Sequence, residues 1–188
     1  LFRSRAIAEN RAVDIADLID ENIVVTGQIA PGKQEKSHTQ ASYGAHFCEV
    51  KVNVTTGEVR VERMLGVFTA GRILNEKTAR SQCLGGMTFG IGAALTEELV
   101  HDGRNGKIVN RDMAEYHLPV NADVPQLEVH FLEERDGHAN PIQAKGIGEL
   151  GISGAGAAVA NAIYNATGIR VRDYPITCDK LLAGLPDA

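Results

Sequence analysis

Four glycines inside one apolar stretch constrain this chain more than any other feature. Residues Glu76 to about Val100 read as a helix with Asn75 as its N-cap, yet Gly85, Gly86, Gly90 and Gly92 fall within it. Each interior glycine costs about 1 kcal/mol relative to alanine, so four cost about 3–4 kcal/mol. Such a helix must gain something that a Cβ would block. Two gains are open: tight packing of another helix or sheet, or close approach of a backbone or a bound cofactor.

The segments around this helix read as a mixed α+β chain. Residues 5–20 read as a modest helix, from the spacing of Ala12, Val13, Ile15, Ala16, Leu18 and Ile19. Ile23–Val25 reads as a short strand, and the polar stretch Gln28–Gln40, with Pro31 and Gly32, as a loop. A hairpin follows: His46–Val54, a turn over Thr55–Glu58, and a return over Val59–Phe68. Val50, Val52 and Val54 share one face of the first strand, but Ala45 and Phe47 fall on the other. Either both faces are partly covered or a bulge intervenes. Beyond the glycine-rich helix, His101–Gly106 reads as a turn, 107–125 as irregular, Leu127–Leu132 as a strand and Arg135–Gln143 as a loop. Ser153–Thr167 is a small-residue helix with Ser153 as its cap and Gly168 just past its end, and Ile169–Arg172 a short strand. This order is not a regular βαβ alternation. It divides into a connecting segment, 1–40, and a domain, 41–188.

Composition narrows the functional classes. The 188 residues carry a formal net charge of −5 with no basic cluster, which argues against nucleic-acid binding. No apolar run reaches the roughly 18 residues of a membrane span. The chain opens without an initiator Met, so it is expected to be a piece of something longer. Cys48, Cys83 and Cys178 lack CxxC spacing and read as three buried thiols. The six histidines show neither HxH nor HExxH spacing, so no protein-held metal site is expected. Glu97-Glu98 and Glu133-Glu134 read as solvated.

Two segments carry chemistry. The run Gly146-Ile147-Gly148-Glu149-Leu150-Gly151 satisfies G-x-G-x-x-G, with Asp173 about twenty residues on. A nucleotide-binding reading meets a defect, because the polar loop Glu133–Gln143 stands where a strand should feed the first glycine. Within the same run Glu149 sits among Ile147, Leu150 and Ile152, where desolvation would raise its pKa and a following helix start would lower it. A carboxylate between these two influences can serve as a general base, or it can simply cap the helix. The second segment is Gly71-Arg72-Ile73-Leu74-Asn75-Glu76-Lys77-Thr78, followed by Gln82. A cation and free N–H groups at a helix start suit a phosphate, and the Gln82 amide could read a heterocycle edge. An ordinary capped helix would carry the same residues.

Three blocks in order, SYGAHFCEVKVNVTTGEVRVERMLGVFTAGRILN, SQCLGGMTFGIGAALTEE and KGIGELGISGAGAAVANAIYNATGIRVRDYPIT, resemble the C-terminal part of the molybdenum-binding large subunit of the xanthine dehydrogenase/aldehyde oxidase family. The nearest subgroup is the bacterial aldehyde oxidoreductases that carry molybdopterin cytosine dinucleotide. The resemblance implies a C-terminal molybdopterin-binding domain with mixed sheet and packed helices. It implies that Glu149 takes the proton from the oxygen attacking an aldehyde or N-heterocycle, while hydride passes to the cofactor. It implies cofactor contacts from Arg72, Ile73, Leu74, Asn75, Glu76, Lys77, Thr78, Gln82, Lys145, Gly146, Ile147 and Gly148. The family's large subunit is several times longer, so the rest of that subunit is an expected partner, together with iron–sulfur and FAD subunits. The isolated chain is expected to hold no molybdenum cofactor and to be inactive. Substrate stays open, with aldehydes favoured by the subgroup, and the compartment is either cytoplasm or periplasm.

Overall fold

The computed structural model describes residues 5–8, 11–14, 17–18, 24–28 and 37–186. The chain divides into two compact units, Leu1–Ser37 and His38–Ala188. In the first, β1 (Arg5–Ala8) and β2 (Arg11–Asp14) pair antiparallel, with Arg5 opposite Asp14 and Ala6 opposite Val13. This overturns the helix expected over 5–20. Helical spacing is a weak preference over so few residues, and cross-strand pairing of two four-residue segments overrides it. The strand expected over Ile23–Val25 is not formed either. Ile23 lies outside the described residues, while Val24 and Val25 are exposed and in no regular element.

The second unit is built on a three-stranded sheet in the order β3-β4-β5. The expected hairpin is present as β3 (Tyr43–Val52) and β4 (Val59–Thr69), paired antiparallel. Asn53 organises the turn: its Oδ1 accepts the N–H groups of Thr55 and Thr56, and its carbonyl accepts that of Gly57. The ladder shifts register between Glu49 and Val50, so Glu62 is the extra residue on β4. On β3 the inward parity is unbroken: His46, Cys48, Val50 and Val52 point in, whereas Ala45 and Phe47 face out. It is β4 that changes parity, from Val59 and Val61 before the bulge to Met64, Gly66 and Phe68 after it. The parity conflict visible in the first strand is thus answered on the second. β5 (Gln126–Phe131) lies parallel to β4 and makes the sheet mixed.

Helix α1 (Glu76–Leu95) connects β4 back toward β5 and packs on the sheet with α2 (Ala155–Thr167). Cys83, Met87, Ile91 and Ala94 form one buried stripe of α1. They meet Met64 and Phe68 of β4, Val129 of β5, and Val159 and Ile163 of α2. Fully burying a Phe, Met or Ile side chain contributes about 1.5–3 kcal/mol, so this stripe holds the unit together. The α2 end is as expected, with Gly168 in the left-handed region and its N–H bonded to the Tyr164 carbonyl. Its start is not: the N-cap is Gly154, and the Ser153 hydroxyl donates to the Glu149 carbonyl instead. Residues 169–172 form no strand. Ile169 and Val171 turn into the core, and no neighbouring strand is there to pair with. A short helix, α3 (Cys178–Leu182), went unread and seats Leu181 in the core.

Three of the four helix glycines answer to packing. A Cβ on Gly86 would sit 2.7 Å from the Ile152 nitrogen, and one on Gly90 would sit 2.4 Å from the Ala155 Cβ. A Cβ on Gly92 would run into the Glu97 carboxylate and Pro119. Gly85 faces open space. Gly85→Ala is therefore expected to stabilise the chain by about 0.5–1 kcal/mol through helix propensity. Gly90→Ala is expected to destabilise it by about 1–3 kcal/mol through overpacking against α2. Urea unfolding of both variants checks the opposite signs.

Candidate functional site

At the end of β4 the two chemistry-bearing segments meet. Thr69 closes the strand, and the next three residues cross Gln143–Lys145 as a two-residue bridge. Lys145 N–H donates to the Ala70 carbonyl at 2.8 Å, and Arg72 N–H to the Gln143 carbonyl at 2.8 Å. Gly71 adopts φ +66°, and a Cβ there would lie 2.4 Å from the Gln143 oxygen, so only glycine fits. Gln143 itself takes φ 62°. The Asn140 side chain fixes the far strand of the bridge, accepting from Ala144 N–H and donating to its carbonyl.

Glu134 stitches the crossing together. It accepts from the Thr69 hydroxyl, from Gly71 N–H at 3.2 Å and from the Lys145 ammonium at 2.8 Å. The Lys145 side chain is only 4% exposed; Asp136 stands 3.8 Å from its Nζ, and the Tyr43 ring lies beneath it. The hydrogen bond from Lys145, then that from Thr69, hold the Glu134 carboxyl down at about 2. Glu134 is thus not the solvated residue its acidic neighbour Glu133 suggested.

Beyond this crossing lies a cavity of about 210 Å³. Arg72, Ile73, Leu74, Asn75, Thr78 and Gln82 line one side, and Lys145 and Ile147 the other. Eight of the twelve expected cofactor contacts therefore converge on one hollow. Of the other four, Glu76 lines a neighbouring cleft, Gly146 lies with Glu149 in a second hollow, and neither Lys77 nor Gly148 lines the cavity. The N-terminus of α1 opens here. Asn75 Oδ1 caps Thr78 N–H, leaving the Glu76 and Lys77 N–H groups without partners among the described residues.

Glu149 sits in a turn that runs from the crossing into α2. Its carbonyl accepts from the Ile152 and Ser153 N–H groups, while its carboxylate is exposed and caps nothing. Desolvation by its apolar neighbours is thus not realised in this chain; Ile147 and Leu150 turn away to pack on the core. The second hollow, about 390 Å³, is lined by Glu149, Gly146, Ser42 and Ser153, and shares Lys145 with the first. The far end of the turn is pinned by His46, whose Nε2 lies 2.9 Å from the Gly151 carbonyl. Burial pushes the His46 pKa down, and this bond offsets part of the fall. The neutral ring is then the donor. Gly151 presses on Cys83 of α1, where a Cβ would come 2.5 Å from its carbonyl. G-x-G-x-x-G here is a turn wedged between a helix and a strand, not the strand–turn–helix of a nucleotide fold.

A family model described as a molybdopterin cofactor-binding domain matches residues 3–125. The chain belongs to this family. Over 156 residues it is 61% identical to the aldehyde oxidoreductase molybdenum-binding subunit PaoC of Escherichia coli K12, covering 83% of the chain and 21% of that subunit. The probable hypoxanthine oxidase XdhD of the same organism is 36% identical over 143 residues, covering 76% of the chain and 15% of the relative. Among solved structures, the aldehyde oxidoreductase from Desulfovibrio desulfuricans superposes with a TM-score of 0.69 at 33% identity, covering 77% of this chain and 16% of that one. The domain thus spans about a fifth or less of the length of these relatives, which fall within the xanthine dehydrogenase/aldehyde oxidase family.

The donor set fits a phosphate-bearing heterocyclic cofactor. The domain presents two unpartnered helix N–H groups, an Arg72 guanidinium with no ion pair among the described residues, and a Gln82 amide free to donate and accept. Among the described residues no group of three or more His, Cys, Asp or Glu could hold a metal, so the metal would have to arrive within the cofactor. The thiols divide. Cys83 is buried, Cys48 is half-buried and pushed up to about 12, chiefly by that burial, and Cys178 is exposed, contrary to the expectation of three buried thiols. No described helix is long and apolar enough to cross a membrane.

The Glu134 carboxyl sets a pH dependence. Its folded pKa of about 2 lies below the ordinary value of 4.5, so the stability it contributes is fully present above about 4.5. That contribution is lost as pH falls toward 2. The stability gap between the native chain and Glu134→Gln is expected to be constant near neutrality and to close between about pH 4.5 and 2. Urea unfolding across that range checks it.

Proposed function

We propose that the chain forms the cofactor-contacting, base-bearing part of the molybdenum-binding subunit of an aldehyde-oxidising molybdenum hydroxylase. The observation that carries this reading is the convergence of the Arg72–Gln82 block and the Lys145–Glu149 block across the Gly71–Ala144 bridge. When bound, the molybdenum cofactor, here taken in its cytosine dinucleotide form, supplies the two-electron redox chemistry. The α1 N-terminus and Arg72 hold a phosphate of that group, and Gln82 hydrogen-bonds its heterocyclic edge. The Lys145–Gly148 backbone, with Gly146 and Gly148 facing open space, lets the cofactor come close.

Glu149 acts as general base. Its exposed Oε atoms accept the proton of the water-derived oxygen that adds to the substrate carbon. The turn holds the carboxylate at the rim of the hollow adjoining the cofactor cavity, and the His46–Gly151 contact limits its freedom. Aldehydes are the favoured substrates, supported by the 61% identity to an aldehyde oxidoreductase subunit. Iron–sulfur and FAD subunits would take the electrons onward, and the remainder of the large subunit would complete the pocket.

In the intact subunit, Glu149→Gln is expected to retain molybdenum while turnover falls by about 10²–10⁴-fold, the range of a lost general base. Metal analysis beside aldehyde turnover reads both, and near-normal turnover would remove the base assignment. Arg72→Ala is expected instead to lower cofactor content, read as molybdenum and pterin per subunit.

A further inference from the structure

We infer that Glu134 is a positioning residue for the Glu149 turn, acting through Lys145. The inference rests on the reading of Glu149 as base. It starts from an imbalance in how the turn is held. Its C-terminal side has several anchors: His46 on Gly151, Gly151 against Cys83, and the Ser153 hydroxyl on the Glu149 carbonyl. Between Lys145 and Leu150, by contrast, the bonds are few. The Ser42 hydroxyl donates to the Gly146 carbonyl, and Leu150 N–H reaches the Ile147 carbonyl at 3.2 Å. Gly146 and Gly148 have nothing within 4 Å of where a Cβ would sit, so packing restrains neither of them. Two unrestrained glycines immediately before a catalytic carboxylate form a hinge unless the residue ahead of them is fixed.

Lys145 is that residue. Its N–H is tied to Ala70, and its ammonium, 4% exposed, is held by Glu134 at 2.8 Å with Asp136 at 3.8 Å. Glu134 is shared: the carboxylate that holds Lys145 also accepts from Thr69 and Gly71, at the root of the segment bearing Arg72. One carboxylate therefore references the base-bearing turn to the cofactor-facing segment. A buried ammonium that has lost its partner leaves its position rather than stay uncompensated. The two glycines then let the turn follow without disturbing α1 or α2.

The test is amide hydrogen exchange on this chain, with Glu134→Gln, Lys145→Met and the double variant. Glu134→Gln is expected to speed exchange about tenfold at Gly146–Leu150, while amides of α1 and α2 keep their native rates. Lys145→Met is expected to give the same pattern, and the double variant to add nothing further, because both substitutions break one linkage. In the intact subunit, Glu134→Gln is expected to lower kcat about tenfold with KM within about twofold, as for a misplaced base. The inference is overturned if Glu134→Gln leaves the turn's exchange within twofold of native, if protection is lost across α1 and α2 as well, or if the two single effects sum. Glu149→Gln separates the underlying reading: it should abolish turnover and leave exchange in the turn unchanged. Retained turnover there would sink the base assignment while the exchange result stands.

Discussion

The bridge between Gly71 and Ala144 is the constraint on which the rest of the site depends. It joins two segments more than seventy residues apart through a pair of 2.8 Å backbone hydrogen bonds. On one side the chain leaves β4 and enters the N-terminus of α1. On the other it leaves a long loop and enters the Glu149 turn. A left-handed glycine is required because the Gln143 carbonyl occupies the space of a Cβ. The Glu134 carboxylate then covers the crossing from the β5 side, satisfying a hydroxyl, an N–H and an ammonium together. Backbone pairing sets the separation of the two segments, and charge-assisted bonds set their orientation.

The helix glycines serve the same end from the opposite face. Gly86 and Gly90 bring α1 against the Gly151 turn and against Ala155, so that the turn lies flat on the helix whose N-terminus faces the cavity. The propensity cost of those glycines is offset by packing in the core, where Cys83 and Met87 are fully buried. One helix therefore supplies both the anion-facing end of the site and the floor beneath its base. The rigidity needed by a general base comes from this contact and from His46, not from hydrogen bonds within the turn, which are long.

Much of this was legible in the sequence because the signals were local. Alternating valines with a Thr-Thr-Gly turn marked the hairpin, Asn75 marked the start of α1, and Gly168 marked the end of α2. The candidate residues were legible as blocks, and the fold brings eight of them into one hollow. What escaped were features fixed by partners distant in sequence. Glu134 looks like any surface acid until Lys145 and Thr69 are folded against it. His46 gives no signal in a strand otherwise read for its valines. The first unit misled because its alanines and isoleucines fit either period, and pairing decided the outcome. Glu149 was expected to be desolvated by its apolar neighbours, but Ile147 and Leu150 turn to the core and leave it exposed.

The bulge at Glu62 reaches further than its one residue suggests. β4 is the middle strand, and every position after the bulge is advanced by one relative to β3. That advance decides which side of the sheet Phe68 occupies, and it sets the angular phase in which Thr69, Ala70 and Gly71 emerge. Length changes in the Thr55–Glu58 turn would be absorbed where they occur, at the exposed tip. Loss of a single residue at Glu62 would rotate the whole return strand by half a pleat, turning the Ala70 carbonyl away from Lys145. The strand behaves as a keyed shaft: its teeth are in the hairpin, but what it indexes is the site at its far end.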